Sequence, residues 1–105
     1  MKEIIQTDAA PAVMGPYVQG IKAGNYVFVS SQLPLDPSTG LFPEDIKAQT
    51  ARSIKNVQAV LRSAGADLNK VVKGTVFLTD INDFAAVNEV YATFFDKNPP
   101  SHSAV

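Results

Sequence analysis

The chain has 105 residues, enough for one domain and too few for two, and its hydrophobic content of 46% is that of an ordinary globular protein. It contains no cysteine and a single histidine, so it has no disulfide framework and no thiol nucleophile, and we expect neither a metal nor another cofactor. Its net charge is −1, with nine basic and ten acidic residues spread along the sequence, which argues against a nucleic-acid partner.

The first part of the chain is predicted to form three strands. Lys2 to Thr7 alternates weakly and is typical of a short edge strand. Gly15 to Gln32 contains two further strands joined at Gly24-Asn25, a dipeptide that tolerates the positive φ angles of a tight hairpin. The apolar run Tyr26–Val29 does not alternate, so both faces of this strand should need cover. Helices of the same chain can cover one face, and we expect a second subunit on the other.

The next part is predicted to be a loop, Leu33 to Phe42, followed by an amphipathic helix. Pro43 is predicted to start this helix because a missing amide hydrogen costs nothing there, and Gly65 is predicted to end it as a left-handed cap. Residues recur at helical spacing along one predicted apolar stripe: Ile46, Thr50, Ile54, Val57 and Leu61. The opposite face is predicted to be solvated and carries Lys47, Arg52, Lys55 and Arg62.

A fourth strand, Val71 to Thr79, is predicted to lead into a second helix from about Asp83 to Phe95, with Asn82 as its N-cap. Asn88 lies on or beside the apolar stripe of this helix, where an amide needs hydrogen-bonding partners. It either satisfies a strand end or faces a cavity. The stripe itself consists of Phe84, Val87, Tyr91, Phe94 and Phe95. Asn98-Pro99-Pro100 ends the helix, and Ser101 to Val105 is predicted to begin another strand.

This order predicts a single α+β domain, a two-layer sandwich with two helices on one face of a mixed sheet. The helical crossover favours parallel pairing of the strands Tyr26–Gln32 and Val71–Thr79, directly or across an intervening strand. A sheet covered on one side leaves apolar residues exposed on the other, which predicts subunit association. The sequence shows neither a secretory signal nor an apolar run of membrane-spanning length, so we expect a cytoplasmic protein without membrane contact.

Polar side chains cluster at the two ends of the predicted hairpin. Tyr17 and Gln19 stand at its start, and Ser30, Ser31 and Gln32 stand at its finish. These groups either mark a binding site or satisfy backbone groups at the strand ends.

Three stretches of the chain resemble a known family: Gly15 to Gly20 (GPYVQG), Ser30 to Pro34 (SSQLP) and Lys73 to Asn88 (KGTVFLTDINDFAAVN). They are similar to the Rid (YjgF-type) reactive intermediate deaminases, also known as the endoribonuclease L-PSP or translation initiation inhibitor family. The resemblance covers essentially the whole chain in register. It implies a homotrimer of the chorismate-mutase-like fold with sites in the clefts between subunits. It also implies hydrolysis of 2-imino acids, such as 2-iminobutanoate and 2-iminopropanoate, to 2-keto acids and ammonia.

The resemblance implies substrate-binding roles for four residues. Tyr17 matches the family tyrosine that lines the cleft, and Ser30 matches a residue of the site at a strand end. Ser31 stands where the family usually has a glycine whose backbone approaches the ligand, and Asn88 matches an asparagine of the cleft. The expected partner is therefore a small imino or keto acid.

The chain departs from the family pattern in two places. His102 stands where the deaminases have an arginine that clamps the substrate carboxylate, so the candidate catalytic position holds a group with one well-aimed donor instead of a charged fork. The alternative for His102 is a histidine at the start of a strand near solvent. The family's C-terminal strand, with its site glutamate, has no counterpart before Val105, so we expect the natural chain to continue or another chain to complete the sheet.

Three functions follow from this resemblance. The leading hypothesis is hydrolytic deamination of reactive enamine or imine intermediates, because imine hydrolysis needs little beyond cleft geometry and a positioned water. The second is a non-catalytic trimer that binds a small metabolite in the same clefts. The third, an endoribonuclease or translation inhibitor, is disfavoured by the dispersed charges.

Overall fold

The computed structural model describes residues 2–105, which form an α+β structure, as the sequence predicted. The strands of these residues are β1 (Lys2–Ile5), β2 (Gly20–Ala23), β3 (Tyr26–Val29), β4 (Lys73–Val76) and β5 (Ser101–Ala104), and the α-helices are α1 (Ile46–Ser63) and α2 (Phe84–Phe94). Short 3-10 helices at Leu68–Lys70 and Ile81–Asp83 precede β4 and α2. Neither α1 nor α2 is long and apolar enough to cross a membrane.

The strands form two sheets. One is antiparallel with the order β1-β2-β3, and the other is a parallel pair of β4 and β5. The predicted direct pairing of β3 with β4 is therefore wrong. The parallel neighbour of β4 is β5, because β4, α2 and β5 make a strand–helix–strand unit of their own, with bonds such as Ser101 N–H to the Val72 carbonyl at 3.0 Å. A strand between β3 and β4, and the proposed continuation of the chain, stay predictions.

The hairpin of β2 and β3 turns at Gly24, as predicted, and Gly24 adopts a positive φ of 60°. Its burial alternates: Val27 and Val29 are half-buried on the side of the helices, whereas Tyr26 and Phe28 are exposed. Both faces of β3 were predicted to need cover; within residues 2–105, only the face of Val27 and Val29 is covered. The register places Ile4 of β1 and Ile21 of β2 beside Phe28 on the uncovered face.

Helix α1 begins three residues later than the sequence predicted. Pro43, which was predicted to start the helix, lies outside it. Asp45 is the N-cap, and its carboxylate accepts a hydrogen bond from the Ala48 amide at 2.7 Å. The predicted C-terminus is confirmed. Gly65 adopts a φ of 82°, and the amides of Gly65 and Ala66 donate to carbonyls of the last turn, which is a Schellman motif.

The buried face of α1 is centred on Asn56, Val60 and Leu61, and the remainder of the predicted stripe is only half-buried. Val60 is fully buried against β2, where a Cβ on Gly20 would stand 2.9 Å from the Val60 Cγ1 atom. The absence of a side chain on Gly20 thus lets the helix approach the strand at this point. Sequence periodicity missed Asn56 because its side chain is polar.

Asn56 is fully buried and ties α1 to the loop that follows β3. Its amide nitrogen donates to the carbonyls of Leu33 and Leu35, both at 2.9 Å, and its oxygen accepts from Arg52 Nε at 3.2 Å. Arg52 is accordingly half-buried, although it was predicted to lie on a solvated face. Both observed donor bonds of this buried amide go to the loop, and its oxygen is paired within α1, which explains why a polar residue occupies the core.

Asp67 ties the C-terminal end of α1 to the 3-10 turn before β4. Its carboxylate accepts hydrogen bonds from the Gln58 amide at 3.0 Å, the Leu68 backbone amide at 2.7 Å and Arg62 Nε at 2.9 Å. These bonds, that from Gln58 foremost, lower the pKa of Asp67 to about 2. The carboxylate therefore stays ionised, and keeps these three partners, throughout the neutral range.

The entry to α2 also differs from the prediction. Asn82 does not cap α2; it lies inside the 3-10 turn, whose cap is Asp80, and the Asp80 carboxylate accepts from the Asn82 amide at 2.9 Å. No side chain within residues 2–105 caps α2 at Asp83. The 3-10 turn feeds directly into the α-helix, so the cap is displaced by one turn.

We predict that Gly20→Ala lowers the free energy of unfolding by about 1–3 kcal/mol, because the new methyl group overpacks against Val60 and against the Phe28 carbonyl, 3.1 Å away. Denaturant titration measures the change. In a Val60→Ala background the same substitution should lower the free energy of unfolding by a smaller amount, with a difference of at least about 0.5 kcal/mol, since one of the two crowding groups is gone. Equal costs in both backgrounds would show that the contact with Val60 is not limiting.

Candidate functional site

One group of candidate residues, formed by Tyr17, Ser30 and Ser31, lies where the chain enters β2 and leaves β3. Ser30 extends the hairpin: its amide donates to the Gln19 carbonyl at 2.9 Å and its hydroxyl donates to the Val18 carbonyl at 2.6 Å. This places Ser30 beside the segment that carries Tyr17, which is 51% exposed. Ser31 follows and is exposed. The three residues therefore present hydroxyl groups at one end of the β2–β3 hairpin.

Gln19 anchors this group. It is only 3% exposed, and its side chain accepts from the Thr7 amide at 2.6 Å and donates to the carbonyls of Thr7 and Pro11 at 3.0 and 2.9 Å. The amide thus fastens residues 7–11 to the start of β2. The structure shows that the Gln19 side chain and the Ser30 hydroxyl hydrogen form hydrogen bonds with backbone groups, which is one of the two alternatives raised by the sequence. The lone pairs of the Ser30 oxygen remain available as acceptors.

The other group lies on α2 and β5. Asn88 is exposed on α2, one helical turn before Tyr91. His102 pairs with Gly74 across the parallel ladder and is half-buried, with its ring 4.6 Å from the Tyr91 ring at an interplanar angle of 84°. His102 therefore packs edge-on against the helix that carries Asn88.

Tyr91 is a member of this group that the sequence did not single out. Its ring lies between those of Phe95, at 4.5 Å, and His102. Its hydroxyl and the Nε2 atom of His102 are both buried and have no hydrogen-bonding partner within residues 2–105. Burial raises the pKa of the Tyr91 phenol. The sequence offered one signal, an aromatic stripe on α2, and that signal indicates a core residue.

The two groups are not joined in one chain. No hydrogen bond or aromatic contact within residues 2–105 links Tyr17, Ser30 or Ser31 to Asn88 or His102. A groove of about 510 Å³ does exist, but it lies between the N-terminal segment and residues 35–40, and none of these five residues lines it. The candidate residues thus form two separate groups, for which we use the name half-sites: the first is Tyr17, Ser30 and Ser31, and the second is Asn88, Tyr91 and His102.

The half-sites consist of polar side chains. Tyr17, Ser30 and Ser31 supply hydroxyl groups, and Asn88 supplies an amide that both donates and accepts. His102 supplies an imidazole. Such a set can orient a small polar molecule and a water through hydrogen bonds, but it contains no carboxylate and no permanently charged cation.

The comparisons with known proteins agree with one another. The family model described as Endoribonuclease L-PSP matches residues 7–105. A RutC family protein of Pyrococcus abyssi is 53% identical over 105 residues, which cover 99% of this chain and 83% of that protein. The 2-iminobutanoate/2-iminopropanoate deaminase of Salmonella typhimurium is 47% identical over 98 residues, or 93% of this chain and 77% of that protein. The crystal structure of E. coli TdcF with bound serine has a TM-score of 0.95 and 46% identity, covering 98% of this chain and 84% of that one.

We predict that the two serines differ in their contribution to stability. Ser30→Ala removes the bond to the Val18 carbonyl and should lower the free energy of unfolding by about 0.5–1.5 kcal/mol. Ser31→Ala, the matched control at the exposed neighbouring position, should change it by less than about 0.5 kcal/mol. Chemical denaturation of both variants checks this, and a Ser30→Ala protein as stable as the parent would contradict it.

Proposed function

The chain belongs to the endoribonuclease L-PSP family, the family of the Rid (YjgF-type) reactive intermediate deaminases, and on this premise we propose that it is a hydrolytic deaminase of 2-imino acids. The observation that carries the proposal is the 47% identity, over 93% of the chain, to a 2-iminobutanoate/2-iminopropanoate deaminase. The half-sites support it because they present the neutral donors and acceptors that imine hydrolysis requires.

In this reaction water adds to the imine carbon, the C–N bond breaks, and the products are a 2-keto acid and ammonia. The imine is reactive, so the protein has to orient it and place a water rather than supply a strong nucleophile. The lone pairs of Ser30 and the exposed hydroxyl of Tyr17 are suited to hold that water or the imine N–H. The amide of Asn88 is suited to the substrate's carboxylate or to the carbonyl oxygen of the product.

The proposed substrate is a small acid. The TdcF structure, 46% identical to this chain, holds serine, a molecule with a carboxylate and a nitrogen on the adjacent carbon. A 2-imino acid has the same two groups on the same two carbons. The likeness supports a substrate of this class, with 2-iminobutanoate and 2-iminopropanoate as the first candidates.

We further propose that the active protein is a homotrimer whose clefts unite the half-sites of neighbouring subunits. The uncovered face of the antiparallel sheet supports this proposal, because Ile4, Tyr26 and Phe28 are 63%, 68% and 60% exposed and lie on that one face. A contiguous apolar surface of this kind is typical of a subunit interface. The separation of the two half-sites within one chain supports it independently.

A non-catalytic trimer that binds the same small acids is the second candidate. It is favoured by His102, which stands at the position of the family arginine and packs against Tyr91. An endoribonuclease or translation inhibitor role has less support, because the net charge is −1 and the basic residues form no run in the sequence that would predict a phosphate-binding surface.

We predict that the protein accelerates the decay of 2-iminobutanoate generated enzymatically in situ, and that Tyr17→Phe and Asn88→Ala each lower kcat/KM by roughly two- to tenfold, the effect of one lost neutral hydrogen bond. Asn69→Ala, which truncates an exposed asparagine in the turn before β4, is the matched control and should leave the rate unchanged. Absence of any acceleration, together with calorimetric binding of 2-oxobutanoate, would replace the deaminase with the binding protein.

We predict a trimer in sedimentation equilibrium at micromolar concentration. Phe28→Asp should shift the protein towards monomers, because it places a charge in the centre of the exposed apolar face. Asn69→Asp adds the same charge in the turn after α1, outside the strands β1–β3 that form that face, and should remain trimeric. A parent protein that sediments as a monomer would overturn both the assembly and the shared cleft.

A further inference from the structure

The contact between His102 and Tyr91 involves buried polar atoms as well as the two rings. The two rings meet edge to face at 4.6 Å, and the space they share is bounded by Gly74, whose Cβ, if present, would stand 3.2 Å from the Tyr91 hydroxyl. Gly74 is also the register partner of His102. The hydroxyl of Tyr91 therefore lies over β4, next to the ladder position from which the histidine ring projects.

Two polar atoms of this contact are closed off from water and unpaired. Within residues 2–105 these are the Tyr91 hydroxyl and His102 Nε2. The other ring nitrogen, Nδ1, is different: it makes no hydrogen bond within these residues and keeps contact with solvent. A buried polar atom without a partner costs about 1–3 kcal/mol. The two rings are in contact, with centroids 4.6 Å apart, so a small rotation of either side chain or one bridging water would let these two atoms satisfy each other.

The direction of that hydrogen bond follows from which atoms it would leave unpaired. If Nε2–H donated to the phenol, the phenolic hydrogen would remain buried without an acceptor. If the phenol donates to an unprotonated Nε2, the phenolic hydrogen has an acceptor and the ring hydrogen lies on Nδ1, on the solvent side. Only lone pairs of the phenol oxygen then stay unpaired. Orphaned donors are rarer in folded proteins than under-used acceptors. The raised pKa of Tyr91 is consistent with this, since it keeps the phenol protonated.

We propose that in solution the Tyr91 hydroxyl donates to His102 Nε2, after a small side-chain rotation or through one buried water, and thereby fixes the tautomer that carries its proton on Nδ1. The hydrogen bond at one ring nitrogen of a histidine decides which nitrogen is protonated. Tyr91 is thus a positioning residue. It makes the neutral ring present an N–H donor, rather than a bare nitrogen, on its solvent side.

The consequence for the site rests on the proposed function. At the position of the family arginine, a neutral Nδ1–H is a donor for the carboxylate of an imino or keto acid, whereas a bare Nδ1 would repel that carboxylate. Tyr91 would then contribute to substrate binding without touching the substrate. Loss of its hydroxyl should raise KM for 2-iminobutanoate by roughly two- to tenfold and change kcat less, because a ground-state contact is weakened.

The tautomer can be measured directly because the chain contains one histidine. Nitrogen-15 NMR of the ligand-free protein, at a pH where the imidazole shifts show a neutral ring, should give a protonated Nδ1 and an unprotonated Nε2. Tyr91→Phe, which keeps the ring and its packing, should move the proton population towards Nε2. Tyr26→Phe, which removes an exposed phenol on the antiparallel sheet, should leave the spectrum of the histidine unchanged.

Each outcome decides the matter. A parent protein with its proton on Nε2, or a Tyr91→Phe protein with the parent's tautomer, overturns the proposal. If Tyr91→Phe fails to fold, the nitrogen-15 shift of Nε2 in the parent decides. A donated hydrogen bond moves the signal of an unprotonated ring nitrogen upfield, and a signal at the position of a nitrogen without a hydrogen bond overturns the proposal. Because the measurement needs no substrate, it separates the two proposals: an Nδ1–H tautomer without imine hydrolysis would refute the deaminase and leave the tautomer assignment standing.

Discussion

The close approach of α1 to β2 at Gly20 is the constraint from which the rest of the first half-site follows. Val60 fills the space that a side chain on Gly20 would occupy, so the helix lies directly on the hairpin. With the helix at this distance, Asn56, one turn before Val60, reaches the carbonyls of Leu33 and Leu35. The residue before Gly20 is the buried Gln19, which fastens the N-terminal segment. The close contact between Gly20 and Val60 thus determines where two chain segments lie beside Ser30: the loop after β3 and the segment before β2.

The parts of the fold that were predictable from the sequence are those whose causes lie within a few residues. The turn at Gly24 and the Schellman motif at Gly65 each require a positive φ, and glycine adopts it without a steric penalty. The loop after β3 turns at Asp36, whose side chain accepts from the Ser38 amide two residues on. The strand β5 was likewise predictable, because the double proline at Pro99 and Pro100 cannot continue a helix, and α2 has already ended at Phe94. The two turns and the Schellman motif do not depend on a distant partner.

The parts that were not predictable depend on partners far along the chain or on competition between equivalent signals. Asn56 is a core residue only because carbonyls 21 and 23 residues away need donors. Before α2, Asp80, Asn82 and Asp83 are all acceptable caps, and only the 3-10 turn decides in favour of Asp80. The sequence favoured pairing of β4 with β3 across α1, but α2 is a second helical crossover that is equally compatible with parallel pairing, and β4 pairs with β5 across it. The partnership of Tyr91 with His102 combines both difficulties, because an aromatic stripe conceals its polar atom.

Under the proposed function, an imidazole in place of the charged fork of the family arginine changes what the second half-site can recognise. A guanidinium offers a carboxylate two parallel charge-assisted hydrogen bonds, whereas an imidazole offers one. The exchange therefore costs one such bond, about 1.5–3 kcal/mol, or roughly ten- to a hundredfold in affinity. That loss falls on ground-state binding, which affects KM before it affects the chemical step. For a reactive imine, whose hydrolysis needs mainly orientation and a placed water, such a loss is tolerable. What the site cannot tolerate is a bare nitrogen facing the carboxylate, since a weak attraction would become a repulsion. The tautomer of one ring, set by one buried phenol, therefore matters more in this chain than it would beside an arginine.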